Sequence, residues 1–137
     1  MGSPLYHSKV YQKGMQYVID NANKMVVVKG VAASYNDANN LDTDAPAGFK
    51  VGEIAMAPAD FTYQAHSPDG FEVVVAAKNL AALDDSLISE DHHVCLLNTT
   101  LSELLVRADI TPELAIGNPS TIQVPSWLFF FRAPVNS

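Results

Sequence analysis

Phe61-Thr62-Tyr63-Gln64-Ala65, the turn Ser67-Pro68-Asp69-Gly70 and Phe71-Glu72-Val73-Val74-Val75-Ala76-Ala77 read together as strand, turn, strand. Aromatic and β-branched side chains suit a pleated, half-buried surface. Proline pre-sets φ at the start of the turn, and glycine supplies the positive φ that closes it. The same alternation extends in both directions. Downstream, Val94 to Asn98 and Leu104 to Ala108 are apolar runs of strand length, and Thr121 to Arg132 is one more, interrupted by Pro125. Such a proline belongs on an edge strand or at a bulge. Upstream, Phe49 to Ala57 stops at Pro58, and the β-branched run Met25-Val26-Val27-Val28 stops at Gly30. Leu80, Leu83 and Leu87 leave residues 79 to 91 open between a helical turn and an irregular loop. The sum is about seven short strands about ten residues apart, the pattern of a mainly β, antiparallel sandwich or jelly-roll-like domain.

The N-terminal stretch has a different period. Ser3 suits an N-cap and Pro4 the first helical position. Tyr11, Met15, Val18, Ile19, Ala22 and Met25 then fall on one face, which predicts an amphipathic helix over residues 4 to 24. Ala33 to Ala38 reads as a helical turn starting from Ser34, and residues 39 to 48 as a mobile surface loop. A chain of 137 residues is expected to be one domain, 1 to 137, since repeats and interdomain linkers are not apparent.

Composition narrows the classes of function. Apolar residues make up 48% and charged residues 17%, a low charge density that favours burying surface against a neighbour. The net charge is −7, and the 8 Lys and Arg residues are scattered, so neither nucleic acid nor an anionic membrane is an expected partner. No apolar run has the length of a membrane span, and residues 1 to 4 do not resemble a signal peptide, so synthesis in the cytoplasm is expected.

Little in the sequence has the form of a catalytic or metal site. His93 and Cys95 share a strand face, but zinc needs three or four ligands, and Cys95 is the lone cysteine. A Cys–His nucleophile would also need an oriented base and an oxyanion hole, for which no glycine-rich turn is at hand. The expected place for His92 and His93 is the exposed end of a strand entering the core. Asp42-Thr43-Asp44 and Asp84-Asp85 lack the spread of a calcium loop. The expectation is a protein with no enzymatic activity, no cofactor and no metal.

Trp127-Leu128-Phe129-Phe130-Phe131 breaks the polar–apolar alternation of a half-solvated strand. Two explanations stand. The strand has a sheet layer on one side and the N-terminal helix on the other, or one face meets a second chain. For an interface the anchors would be Tyr6, Tyr11, Trp127 and Phe129, large residues of the kind that dominate protein contacts.

The order of several short motifs resembles that of small virion proteins of tailed bacteriophages, the capsid decoration or cement proteins. They run from Ser8-Lys9-Val10-Tyr11-Gln12-Lys13-Gly14 through Asn23-Lys24-Met25-Val26-Val27, Ala33-Ser34-Tyr35-Asn36-Asp37-Ala38 and Asp60-Phe61-Thr62. They continue with Val73-Val74-Val75-Ala76-Ala77, His93-Val94-Cys95-Leu96-Leu97, Ile122-Gln123-Val124-Pro125-Ser126-Trp127 and Ala133-Pro134. The apolar Leu128 to Phe131 departs from that pattern, as does the absence of a basic residue after Gly70. The resemblance implies a jelly-roll-like homo-oligomer, dimer or trimer, on the capsid exterior of the virion. Its partner would be the major capsid protein, and its role to stabilise contacts between subunits. Two other readings stay open: a tail or neck structural protein, and a carbohydrate-binding β-sandwich module using Tyr35, Tyr63 and Asn36 to Asn40.

Overall fold

The computed structural model describes residues 8–65, 71–83, 92–109 and 121–131. Its order begins with the most apolar segment. Met25 to Val28 form the middle of strand β1 (Lys24–Lys29), and all four are completely buried. β-Branched residues lose little by being extended, and burial on both faces requires a layer on each side. Two antiparallel neighbours flank β1 within its own sheet: β2 (Lys50–Ala55), which follows helix α2 (Tyr35–Asn39), and the later strand β6 (His92–Asn98). Helix α1 (Ser8–Asn21) precedes them.

The remaining strands are β3 (Phe61–Ala65), β4 (Phe71–Val75), β5 (Lys78–Ala82), β7 (Glu103–Asp109), β8 (Thr121–Val124) and β9 (Trp127–Phe131). A six-stranded sheet runs in the order β7-β6-β1-β2-β5-β8 and a three-stranded sheet in the order β3-β4-β9, with every pairing antiparallel. The molecule is mainly β, with its antiparallel sheets forming a curled half-barrel.

One apolar cluster joins the layers. Met15, Val18 and Ile19 from α1, with Ala22 just after it, meet Met25, Val27, Val94 and Leu96 of the large sheet and Phe61, Val73 and Val75 of the small one. The opposite side of β1 and β6 has its own cover: Val26, Val28, Cys95 and Leu97 pack under Ala32, Ala38 and Tyr35 around α2. Period-2 alternation accounts for both clusters, since neighbouring residues of one strand point to opposite faces.

Several sequence expectations change here. The helix leaves its path at Asn21, because Asn23 is already main-chain paired to Leu97 and Met56 at 3.0 and 2.9 Å. Residues 4 to 7 of the expected helix lie outside the described residues. Nine strands are described instead of about seven, because residues 78 to 82 form β5 and the expected strand from Thr121 to Arg132 is two. Pro125 ends β8, and the chain then crosses from the large sheet to the small one. The turn Ser67 to Gly70 lies outside the described residues, yet Ala65 pairs with Phe71 as a hairpin requires.

The loop expected to be mobile is held by hydrogen bonds. Leu41 N–H donates to Asp44 (2.7 Å), Gly48 N–H to Leu41 O (2.9 Å) and Asn40 Nδ2 to Pro46 O (2.9 Å). Gly48 has no room for a side chain: a Cβ there would collide with the carbonyl oxygens of Asn40 and Asn36. His92 and His93 are also not at an exposed strand end. They are 0% and 8% exposed, since they pair with Lys29 and Val28 of the central strand.

Candidate docking surface on the three-stranded sheet

The segment that starts at Val124 places the most unusual chemistry of the sequence on the small sheet. Pro125 has no N–H to continue β8. Ser126 then turns its hydroxyl to donate to Val75 O at 2.9 Å, and this bond fixes the start of β9 against the end of β4. From there Trp127, Leu128 and Phe129 pair with Val75, Val74 and Val73.

Alternation divides the strand between two faces. Trp127 and Phe129 turn inward and pack against the main cluster, their rings 6.1 Å apart and tilted by 46°. Leu128 points the other way, beside Val74, and is 43% exposed. Helix α1 contributes to the same inner cluster as Trp127 and Phe129, so it does not cover the outer face as one explanation of this strand required. Among the described residues the outer side of Leu128 is left to solvent or to a second chain.

At the corner where β8 passes into β9 lies a cavity of about 170 Å³. Val94, Ala108 and Val124 form its apolar wall, and Trp127 and Asp109 stand at its sides. The indole Nε1 of Trp127 is itself out of reach of solvent, without an acceptor among the described residues. A buried donor that has given up water normally finds a partner, because leaving it unmade costs about 1–3 kcal/mol. Asp109 is 64% exposed, with its Oδ1 3.9 Å from His93 Nε2. The corner therefore offers an apolar hollow beside one exposed carboxylate.

Of the four residues expected to anchor an interface, Trp127 and Phe129 come together on β9. Tyr11 falls on α1, and Tyr6 lies outside the described residues. Leu128 and Asp109 join the surface although the sequence reading did not single them out. The parity of Leu128 relative to Trp127 was a usable signal for the first; nothing local marks the second. The residues proposed for sugar contact are not gathered. Tyr35 packs on the α2 side of the large sheet, whereas Tyr63 belongs to the small sheet. Asn39 and Asn40 are engaged by Lys24 and Pro46.

Cys95 lies at the centre of β6 and is completely buried. Burial pushes its thiol up to about 12, against a smaller opposing pull from Arg107, so it is held as a neutral thiol. Among the described residues no group of three or more His, Cys, Asp or Glu side chains is placed to hold a metal ion.

The architecture defines a class, a mainly β protein of antiparallel sheets. No protein-family model, no curated protein and no solved structure matches the chain.

Proposed function

We propose that this chain is a structural, non-enzymatic protein that works by docking on another protein, with the β8–β9 corner as the centre of contact. The observation that carries the reading is the combination at that corner: an open apolar cavity beside the Asp109 carboxylate, and Leu128 exposed on the outer face of an aromatic strand. An apolar side chain of the partner would fill the cavity while Leu128 packs against the partner's surface, as pockets beside a strand do in β-mediated recognition.

The partner we assign is the major capsid protein of a tailed phage, with the chain seated on the exterior of the shell and bridging neighbouring subunits. The order of the short motifs from Ser8 to Pro134 supports that choice. In this reading the two sheets act as a sandwich of jelly-roll type, and the molecule is a homo-oligomer. Many copies on one lattice turn individually modest contacts into a large total effect.

Co-sedimentation of the purified protein with capsids that lack it tests the assignment. Saturation at a copy number set by the icosahedral lattice is the expected result. Saturation at a handful of copies would move the protein to the tail or neck, and no binding would remove the capsid role. Leu128→Ala, on the exposed outer face, should weaken binding while the far-UV circular dichroism stays that of the wild type.

A further inference from the structure

Backbone groups along the small sheet can be assigned direction by direction. Ala76 N–H donates to Asp60 O at 2.9 Å, which makes those two residues a hydrogen-bonded pair. In an antiparallel ladder such pairs alternate, so Thr62 with Val74 and Gln64 with Glu72 are the next two. Strand β4 therefore turns the N–H and C=O of Phe71, Val73 and Val75 toward β9, where they meet Phe131, Phe129 and Trp127. Acceptance by Val75 O of the Ser126 hydroxyl fits that direction. What remains on β9 is the main chain of Leu128 and Phe130, whose N–H and C=O groups point to the edge of the sheet, with no strand beside them among the described residues.

An unpaired edge is a template for another strand, and native proteins usually blunt it with charge, proline or brevity. The edges of the large sheet show those devices. β7 carries Glu103, Arg107 and Asp109, and β8 is four residues long and stopped by Pro125. β9 has neither a charge nor a proline in its five residues. In a chain of net charge −7, two copies are repelled at most approaches, but not along a neutral strand.

We infer that β9 pairs antiparallel with β9 of a second copy of this chain, about a two-fold axis through Phe129. In this register Leu128 of one copy faces Phe130 of the other and Phe130 faces Leu128, so all four free main-chain groups of each copy are satisfied. The two three-stranded sheets become one continuous six-stranded sheet, and the contact is isologous, as a two-fold requires. A slip of one residue either way leaves edge groups unmatched. A five-residue edge falls below the roughly 1,200 Å² of stable complexes, so the dimer is weak and concentration-dependent. The inference deepens the homo-oligomer part of the proposed function but stands on backbone pairing, so dimer formation and capsid binding can each fail alone.

Sedimentation velocity of the full chain across the micromolar range, together with oxidative cross-linking, tests it. Leu128→Pro removes an outward N–H without touching the bonds to β4, and should abolish association while leaving the circular dichroism unchanged. Phe129→Cys should give a disulfide dimer under mild oxidation. Residues facing each other in a non-hydrogen-bonded pair have Cα atoms about 4.5 Å apart, inside the disulfide range. Leu128→Cys should not cross-link, since its symmetry mate sits about 7–8 Å away on the diagonal. A wild-type monomer at every concentration, undiminished association of Leu128→Pro, or cross-linking at 128 in place of 129 would each overturn the pairing.

Discussion

Gly52 on β2 reports on how three strands of the large sheet lie together. A Cβ built at Gly52 meets Ile122 Cδ1 of β8 at 2.7 Å and Ala81 O of β5 at 3.0 Å. Real Cβ atoms do not approach a carbon at 2.7 Å, and Ile122 is completely buried, so it has little space to retreat. Overpacking of this kind costs about 1–3 kcal/mol, which Gly52→Ala should lose. Ile122→Val removes the Cδ1 methyl that clashes and alone should cost about 0.5–1.5 kcal/mol. Combined, the two changes should be less destabilising than their sum by at least about 0.5 kcal/mol, because the second relieves the first. Urea unfolding of the wild type, both single variants and the double variant measures the coupling. Additivity within about 0.3 kcal/mol would refute the placement of β8 against the β2–β5 pair.

Further outcomes follow from other parts of the fold. Cys95, with its thiol pushed up to about 12 by burial, should resist iodoacetamide at mild alkaline pH until the protein is unfolded; stoichiometric labelling of the native chain would contradict its place in β6. Removal of the Ser34 hydroxyl, which caps α2 by accepting from Asp37 N–H at 3.2 Å, should cost about 0.5–2 kcal/mol in Ser34→Ala, read by thermal unfolding. For Glu53, burial opposes ionisation, but Lys24 at 2.5 Å and Lys50 at 3.3 Å outweigh it and hold the carboxyl below its ordinary value of 4.5. With a depressed folded value, its contribution is present above the unfolded value and lost as pH falls through the folded one. The Tm gap between wild type and Glu53→Gln should thus be open at neutral pH and close in acid; a gap that stays constant would rule out that ion pair.

The elements that local chemistry dictates were the ones visible in the sequence. Met25 to Val28 announced a buried strand by β-branching alone, and Ser34 announced the start of α2 through its hydroxyl. Pro125 was legible as an edge feature, but not as the point where the chain changes sheets, because the partner of each half is set by residues far away in sequence. The burial of His92 and His93 was missed for the same reason: a polar residue beside a strand looks exposed until its neighbours on β1 are known. The loop before Phe49 looked mobile because its residues suit turns, while what holds it is a set of side-chain to main-chain bonds that composition does not reveal. Of the candidate surface, the aromatic strand was legible and its place at the end of the small sheet was not, since strand order is a property of the whole sheet.

The proposed role makes its most direct claim about the mechanical state of the shell. The measurement is the temperature at which packaged DNA escapes from capsids lacking the protein, with and without the purified chain added back to saturation. The account predicts a higher release temperature with the protein bound, and a smaller rise with Leu128→Ala. An unchanged release temperature on fully decorated particles would contradict it.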